Sequence, residues 1–501
     1  MLRQPMSDLI VVIPGFLGSI LRDNRGKDLW TIRGRKLLPM LARLAMNRSR
    51  LELTQGFSDG PANDGIEPTG LLTDLHAIPG VWTINGYDAL VRWLTSQFEI
   101  DEVLPNGQPG NLVLFPYDWR LSNRFSARRL ASTVEQRLAS WRKISGNDEA
   151  KATLLCHSMG GLVARWFLDV EGGAPLCRRL ITIGTPYQGA PEAIAALANG
   201  VHWGLGLLKA DLSRLVRTLP SVSELMATYP CVDPGDGVLV SLSDIDIPQI
   251  DRAMVEWGAR FHAELTAAAP IDGAARYQTI ALKGQSQPTN QVARVTAKGV
   301  ELDNLEKYEN GQVPYRRLTR DGNRLETVIN ARGDGTVPRG SSHPKQWKSE
   351  AAPPAGDKIQ GFAPKHIDLQ NRRELLESLF QIFTADRLGQ TAGGIPIAVS
   401  GPEMSVLGEP VKMDVSTDPM LDGLMLEVHV DNGSKPAAYL NNIGGGRYRG
   451  EVAGLPPDVH ELTVIATPGA IPIVEVTHLV TVADNKVLDQ LVNNLDIRGG
   501  G

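Results

Sequence analysis

Apolar and polar positions are not scattered evenly along this chain. A continuous apolar run lies at residues 9–13 (Leu-Ile-Val-Val-Ile), and residues 111–115, 152–156, 179–183 and 277–282 are further short, largely apolar segments that read as strands. Runs of this length predict strands buried on both faces of a parallel sheet. Between them, apolar residues recur at helical spacing. Residues 87–98 carry Leu90, Val91, Trp93, Leu94 and Phe98. Residues 131–141 and 161–170 also read as helices. Residues 368–383, with Leu375, Leu376, Leu379, Phe380 and Phe383, predict a helix that closes the series. Strand–helix alternation of this kind implies an α/β fold with a doubly wound, mostly parallel sheet and a ligand site at the carboxyl ends of its strands.

Three stretches break the alternation. Residues 21–79 mix basic, Gly and Pro positions and are expected to cap the sheet. Residues 190–229 are expected to be mostly helical, with Trp203, Leu205, Leu207, Leu208, Leu212 and Leu215 on an apolar side. That side suits a lid opening onto lipid, with transient contact to a membrane surface, or equally a helix pair packed on the core. Residues 286–327 are polar and turn-rich. Near residues 390–394 the pattern shifts to short alternating runs at 411–416, 424–430, 448–452, 461–465 and 476–482, separated by turns such as Asp431-Asn-Gly433 and Gly444-Gly-Gly446. Such runs predict an immunoglobulin-like β-sandwich, without the Cys-Trp-Cys pattern of antibody domains. The expected domains are therefore 1–388 and 394–490.

Composition agrees. A chain of 501 residues exceeds one ordinary core. Its net charge of −5, with no basic stripe, argues against a nucleic-acid partner. Cys156, Cys177 and Cys231 form neither a disulfide framework nor a zinc spacing, and no metal site is expected. The apolar run at 9–13 is too short for a signal peptide, and no segment reaches membrane-spanning length. A cytoplasmic enzyme is the expectation.

The chemistry concentrates at Leu154-Leu-Cys-His-Ser-Met-Gly-Gly161, between a predicted strand and a predicted helix. A sharp turn there lifts Ser158 Oγ above the sheet as a nucleophile, as in an α/β-hydrolase. The helix behind it favours developing negative charge. Cys156 stands where the G-x-S-x-G pattern has its first glycine. Closing a buried strand, it is expected to be an inert small hydrophobe. His157 points away in such an elbow and is not expected to be the base.

The remaining parts follow from what acyl transfer needs. Two donors must meet the oxyanion. Met159 N–H supplies one, and Phe16 N–H in Pro14-Gly-Phe-Leu-Gly-Ser19 is the candidate for the other. An acid and a base should follow in the order Asp, His. Asp334 lies in a glycine-bounded loop. His366 lies just before the final helix and is chosen as base, with His343 as the alternative; His429, His460 and His478 fall in the second domain. Asp118 and Arg120 are expected to pair and hold their loop.

Val11-Val-Ile-Pro-Gly-Phe-Leu-Gly-Ser19, Pro116-Tyr-Asp-Trp-Arg120, Cys156-His-Ser-Met-Gly-Gly161, Ile181-Thr-Ile-Gly-Thr-Pro186 and Gly333-Asp-Gly-Thr-Val337 occur in the order seen in the lecithin:cholesterol acyltransferase family. The chain resembles that family over roughly residues 9–383. The resemblance implies an α/β-hydrolase fold, the triad Ser158, Asp334 and His366, and oxyanion donors Phe16 and Met159. It also implies a lipid or other acyl ester as donor, with an alcohol or water as acceptor and no cofactor. The disulfides of secreted relatives are not evident. Two other readings stay open: a non-lipid esterase or acyl hydrolase with the same triad, and an inactive binding protein whose second domain docks partners.

Overall fold

The computed structural model describes residues 3–31, 47, 49–72, 86–203, 210–236, 238–268, 277–304, 332–347, 353–354, 356–385, 395–417, 420–431, 433–467 and 473–484. Its first part is built on a six-stranded sheet. In chain order the strands are β1 (Leu9–Ile13), β2 (Leu112–Leu114), β3 (Ala152–His157), β4 (Cys177–Ile183), β5 (Gln278–Gly284) and β6 (Lys358–Phe362). The spatial order is β6-β5-β4-β3-β1-β2, and every pairing is parallel. Every residue of β1 and β3 is buried, as continuous apolar strands between two helical layers require.

Register then decides where the loops emerge. Ile13 sits beside Cys156, His157 beside Ile183, Ile183 beside Leu282, and Gly284 beside Phe362. The carboxyl ends of the strands therefore line one edge of the sheet. The loops leaving that edge carry Phe16, Ser158, Gly184 and His366.

Helices α1 (Asp88–Gln97), α2 (Asn123–Ser145), α3 (Gly160–Asp169), α4 (Pro191–Asn199), α5 (Arg252–Ala268) and α6 (Arg373–Ala385) accompany the sheet. Helix α2 is longer than the stretch 131–141. The Ser122 side chain caps it by accepting from Arg124 N–H, and Gly146 at φ 66° ends it. Helix α6 begins later than residue 368, because a 3₁₀ turn at Leu369–Asn371 intervenes. His366 is thus on a loop before that turn and not at the mouth of the helix. Strand β6 has no counterpart in the apolar pattern: Lys-Ile-Gln-Gly-Phe at a sheet edge alternates instead of running apolar.

The interrupting stretches carry more regular structure than their composition suggests. Ser19–Asp23, Asp28–Trp30 and Ile66–Leu71 form a three-stranded antiparallel sheet. Residues 32–46 and 73–79 of the expected cap lie outside the described residues. Within 286–327, Val292–Thr296 and Gly299–Asp303 form a hairpin and not a series of turns, with Val292, Ala293 and Val300 buried. In 190–229, helix α4 is followed by short helices at Ser213–Thr218 and Pro220–Ser223. Leu212, Leu215, Val216 and Leu219 are buried in the core of the first part, as the packed alternative expects. Leu205, Leu207 and Leu208 lie outside the described residues. No helix among the described residues is long and apolar enough to cross a membrane.

The C-terminal part has its own core and one eight-stranded, curled sheet of sandwich-like form. Its strands are β7 (Ile397–Ser400), β8 (Met404–Val406), β9 (Val411–Thr417), β10 (Leu426–Val430), β11 (Ala438–Gly444), β12 (Arg447–Val452), β13 (Asp458–Ala466) and β14 (Val476–Ala483). They lie in the order β7-β9-β12-β11-β10-β13-β14-β8. The alternating runs at 411–416 and 448–452 bury every second residue, as their pattern requires. The expected junction at 390–394 and the expected end at 490 lie outside the described residues.

Arg120 ties the two sides of the site end together. It is fully buried, paired bidentately with Asp118 at 2.9 and 2.7 Å, and it reaches Asp64 at 2.8 Å and Leu51 O at 3.3 Å. Removing it leaves Asp118 buried without its partner. Such an unpaired carboxylate costs about 3–5 kcal/mol. Arg120→Ala is therefore expected to lose about that much stability in urea unfolding, and a wild-type midpoint and slope would refute the role.

Candidate active site

Ser158 occupies the turn between β3 and α3 with φ 49°. A non-glycine residue held in the left-handed region is a strained arrangement that its surroundings must enforce. Here Ser158 N–H donates to Ile183 O at 2.8 Å, and Ser158 O accepts from Gly161 N at 3.0 Å and Thr185 Oγ1 at 2.9 Å. Gly160 allows the turn to close, since a Cβ there would stand 2.4 Å from Pro14 O. Cys156, in the place of the usual first glycine, is wholly buried. Burial pushes its thiol well above the ordinary range, so it is held as the thiol.

Ser158, His366 and Asp334 meet. Ser158 Oγ is 2.9 Å from His366 Nε2, and His366 Nδ1 is 2.7 Å from Asp334 Oδ2. The other carboxylate oxygen, Asp334 Oδ1, accepts from Thr336 N at 2.9 Å and Val337 N at 2.6 Å. His366 N–H also donates to Asp334 O at 2.7 Å, so the two loops are joined by main chain as well as side chain. Gly184, at φ 61°, leaves room beneath this pair: a Cβ would lie 2.9 Å from His366 Nδ1 and 3.1 Å from Asp334 Oδ2. The alternative base, His343, instead stacks on Trp347 with centroids 6.1 Å apart.

A narrow cavity of about 30 Å³ opens on Ser158 and His366, walled by Phe16, Pro186, Ala193 and Leu225 among others. Its lining is mostly apolar. Of the two expected oxyanion donors, Phe16 borders this cavity, while Met159 is buried directly ahead of helix α3.

Two groups next to these residues were not recognisable from the sequence as part of the site. Gly15 N–H donates to Tyr87 Oη at 2.8 Å. Tyr87 is then the donor to His157 Nδ1 at 2.9 Å, which leaves His157 Nε2–H to donate to the His366 carbonyl at 3.2 Å. Burial pushes His157 down to about 3, so the ring stays neutral and keeps these roles. His157 therefore connects the Gly15 loop to the His366 segment. The Pro116–Arg120 loop supports the same glycine loop. Tyr117 Oη donates to Pro14 O at 3.0 Å, Trp119 Nε1 donates to Ser19 O at 3.2 Å, and the Trp119 ring meets Phe16 edge-on at 5.3 Å.

Glu192, the second residue of α4, is the other unrecognised group. It borders the same cavity, and its Oε1 accepts from Asn290 Nδ2 at 3.2 Å. Burial, and then the nearby Asp334 charge, push its carboxyl up to about 8.

Residues 103–256 match the family model described as lecithin:cholesterol acyltransferase. The chain is 30% identical over 244 residues to "Phospholipase A(1) LCAT3" of Arabidopsis thaliana, covering 44% of this chain and 52% of that protein. It is 30% identical over 140 residues to "Phospholipid:diacylglycerol acyltransferase 1" of the same plant, covering 24% of this chain and 21% of that protein. The mature lipase BlEst2 of Bacillus licheniformis aligns with 76% of this chain and 94% of its own, at 11% identity and a TM-score of 0.33. The matched region thus spans about half of the first plant relative, at 52%. The parallel six-stranded sheet is that of an α/β fold, and residues 103–256 are similar to the lecithin:cholesterol acyltransferase family.

The Glu192 carboxyl gives a pH-dependent prediction. Its folded value near 8 lies above that of a free glutamate, so the folded state holds its proton more tightly. The resulting stability is fully present below the unfolded value and is lost as pH rises through about 8. Glu192→Gln removes that loss. The Tm of the variant relative to wild type should therefore rise between about pH 5 and pH 8 and level off above that; a difference that does not change with pH would show that Glu192 is not held protonated.

Proposed function

We propose that this protein is a serine-dependent enzyme that takes an acyl group from a lipid ester and passes it to an alcohol or to water. The observation that carries the reading is the unbroken hydrogen-bonded line from Ser158 Oγ through His366 to Asp334, at 2.9 and 2.7 Å, on the wall of a mostly apolar cavity. The likeness to a plant phospholipase and to a phospholipid:diacylglycerol acyltransferase supports a lipid donor.

In this reading His366 Nε2 takes the proton of Ser158 as Oγ bonds to the ester carbonyl carbon. The carbonyl π electrons move onto oxygen, and Phe16 N–H and Met159 N–H stabilise the resulting oxyanion. Collapse breaks the bond to the leaving alkoxide, which receives the proton from His366, and leaves an acyl-enzyme on Ser158. The acceptor then gives its proton to His366, attacks the acyl carbon, and returns Ser158 to its hydroxyl form. Asp334 holds the imidazole in the Nδ1–H tautomer and stabilises its cationic form. Hydrolysis and transfer differ only in which acceptor reaches the acyl-enzyme. A cavity bordered by Phe16, Leu225 and Val337 favours an apolar acyl chain over a charged one.

Purified protein incubated with phospholipids and neutral glycerides, with and without a long-chain alcohol, should release fatty acid or form new ester. Ser158→Ala, His366→Ala and Asp334→Asn should each lower turnover by roughly 10³-fold or more with the fold intact by circular dichroism. Wild-type activity in any of the three removes that residue from the mechanism. Activity on short soluble esters alone, with none on lipid, would turn the reading to a non-lipid esterase.

A further inference from the structure

The segment that carries His366 is held on both sides by the C-terminal domain. Ala363, three residues before it, belongs to that domain's hydrophobic core together with Ile397 and Val399. Lys365, the residue before it, donates from Nζ to His478 Nδ1 at 2.6 Å, and His478 Nε2–H donates to Pro402 O at 3.0 Å. Ile367, the residue after it, packs with Val459 and Leu479 in a small cluster.

Gln287 joins the same parts from below. It is fully buried, and its side chain makes three bonds. Nε2 donates to Ala363 O at 2.6 Å and to Ile397 O at 3.0 Å, while Oε1 accepts from Val399 N–H at 3.1 Å. The backbone of Gln287 pairs with Gly333 and bridges to Asp334. One residue, by side chain and backbone together, therefore links the histidine loop, the aspartate loop and strand β7. A cavity of about 180 Å³ between the domains is bordered by Asp334, His366 and Lys365 on one side and by Val399, Glu403 and His478 on the other, so the C-terminal domain supplies part of the wall behind the Ser158 relay.

We propose that the C-terminal domain is a positioning element of the active site, fixing the His366 loop through Gln287, His478 and the Ile367–Val459–Leu479 contact. This inference rests on Ser158, His366 and Asp334 forming the catalytic relay. An appended module would leave the base in place when its contacts are cut. A positioning element would let the imidazole drift, and a displacement of about 1 Å at a reacting group typically costs on the order of 10²-fold in rate.

The test uses the full chain, a short p-nitrophenyl ester, and a fluorophosphonate that labels Ser158. Short reagents remove lipid access from the measurement. Gln287→Leu and His478→Leu should lower both kcat and the labelling rate by about 10–100-fold with KM within about twofold, whereas His478→Asn, which restores an acceptor near the Nδ1 position, should recover most of the loss. Tyr448→Phe is the comparison. It cuts the bonds of Tyr448 Oη to Leu421 and Leu424 inside the C-terminal domain, and should lower Tm while leaving kcat unchanged. Should Gln287→Leu fail to fold, the His478 pair decides. Wild-type kcat and labelling in folded His478→Leu and Gln287→Leu would overturn the inference, as would losses in Tyr448→Phe as large as theirs. Wild-type protein that is not labelled at Ser158 would overturn the acyl-transfer reading first and this inference with it.

Discussion

The parallel pairing of β1 with β3 is the constraint on which the rest depends. Both strands are buried along their whole length, and their register runs from Leu9 beside Ala152 to Ile13 beside Cys156. Slippage by one residue in a sheet buried on both faces would disturb every side-chain contact above and below. With that register fixed, Pro14 and Ser158 emerge together, and the glycine loop lies against the serine turn. The close approach of Gly160 to Pro14 O follows directly from it.

The site then depends on loops holding other loops. Asp334 grips His366 by side chain and main chain. Tyr117 and Trp119 hold the Pro14–Ser19 segment from the far side. Arg120 fastens their own loop to Asp64 across the small antiparallel sheet. Each of these contacts satisfies a buried polar group that would otherwise cost about 1–3 kcal/mol. The polar groups around the relay thus serve stability and geometry at once.

Much of this was legible in the sequence, for identifiable reasons. The inner strands advertise themselves because burial on both faces demands unbroken apolar runs. Ser158, Asp334 and His366 could be chosen because the chemistry dictates their order and the fold dictates their loops. Edge strand β6 was not legible, since Lys358, Gln360 and Gly361 interrupt its apolar positions and no continuous apolar run marks it. Glu192 was not legible either, because nothing among its Pro and Ala neighbours signals that it borders the same cavity as Ser158. The contact of Lys365 with His478 joins positions 113 residues apart, and no local pattern records such a pairing. The histidines of the second domain looked unrelated to the site for that reason.

The line from Gly15 through Tyr87 and His157 to the His366 carbonyl joins the place where negative charge would collect to the group that would move the proton. It runs in one direction, each member donating to the next, and a neutral His157 cannot reverse it without changing tautomer. The two halves of the site are therefore mechanically coupled. In the proposed acyl transfer, a ligand that shifted the glycine loop would also pull on the His366 imidazole, so seating of the ester and placement of the base would not be independent.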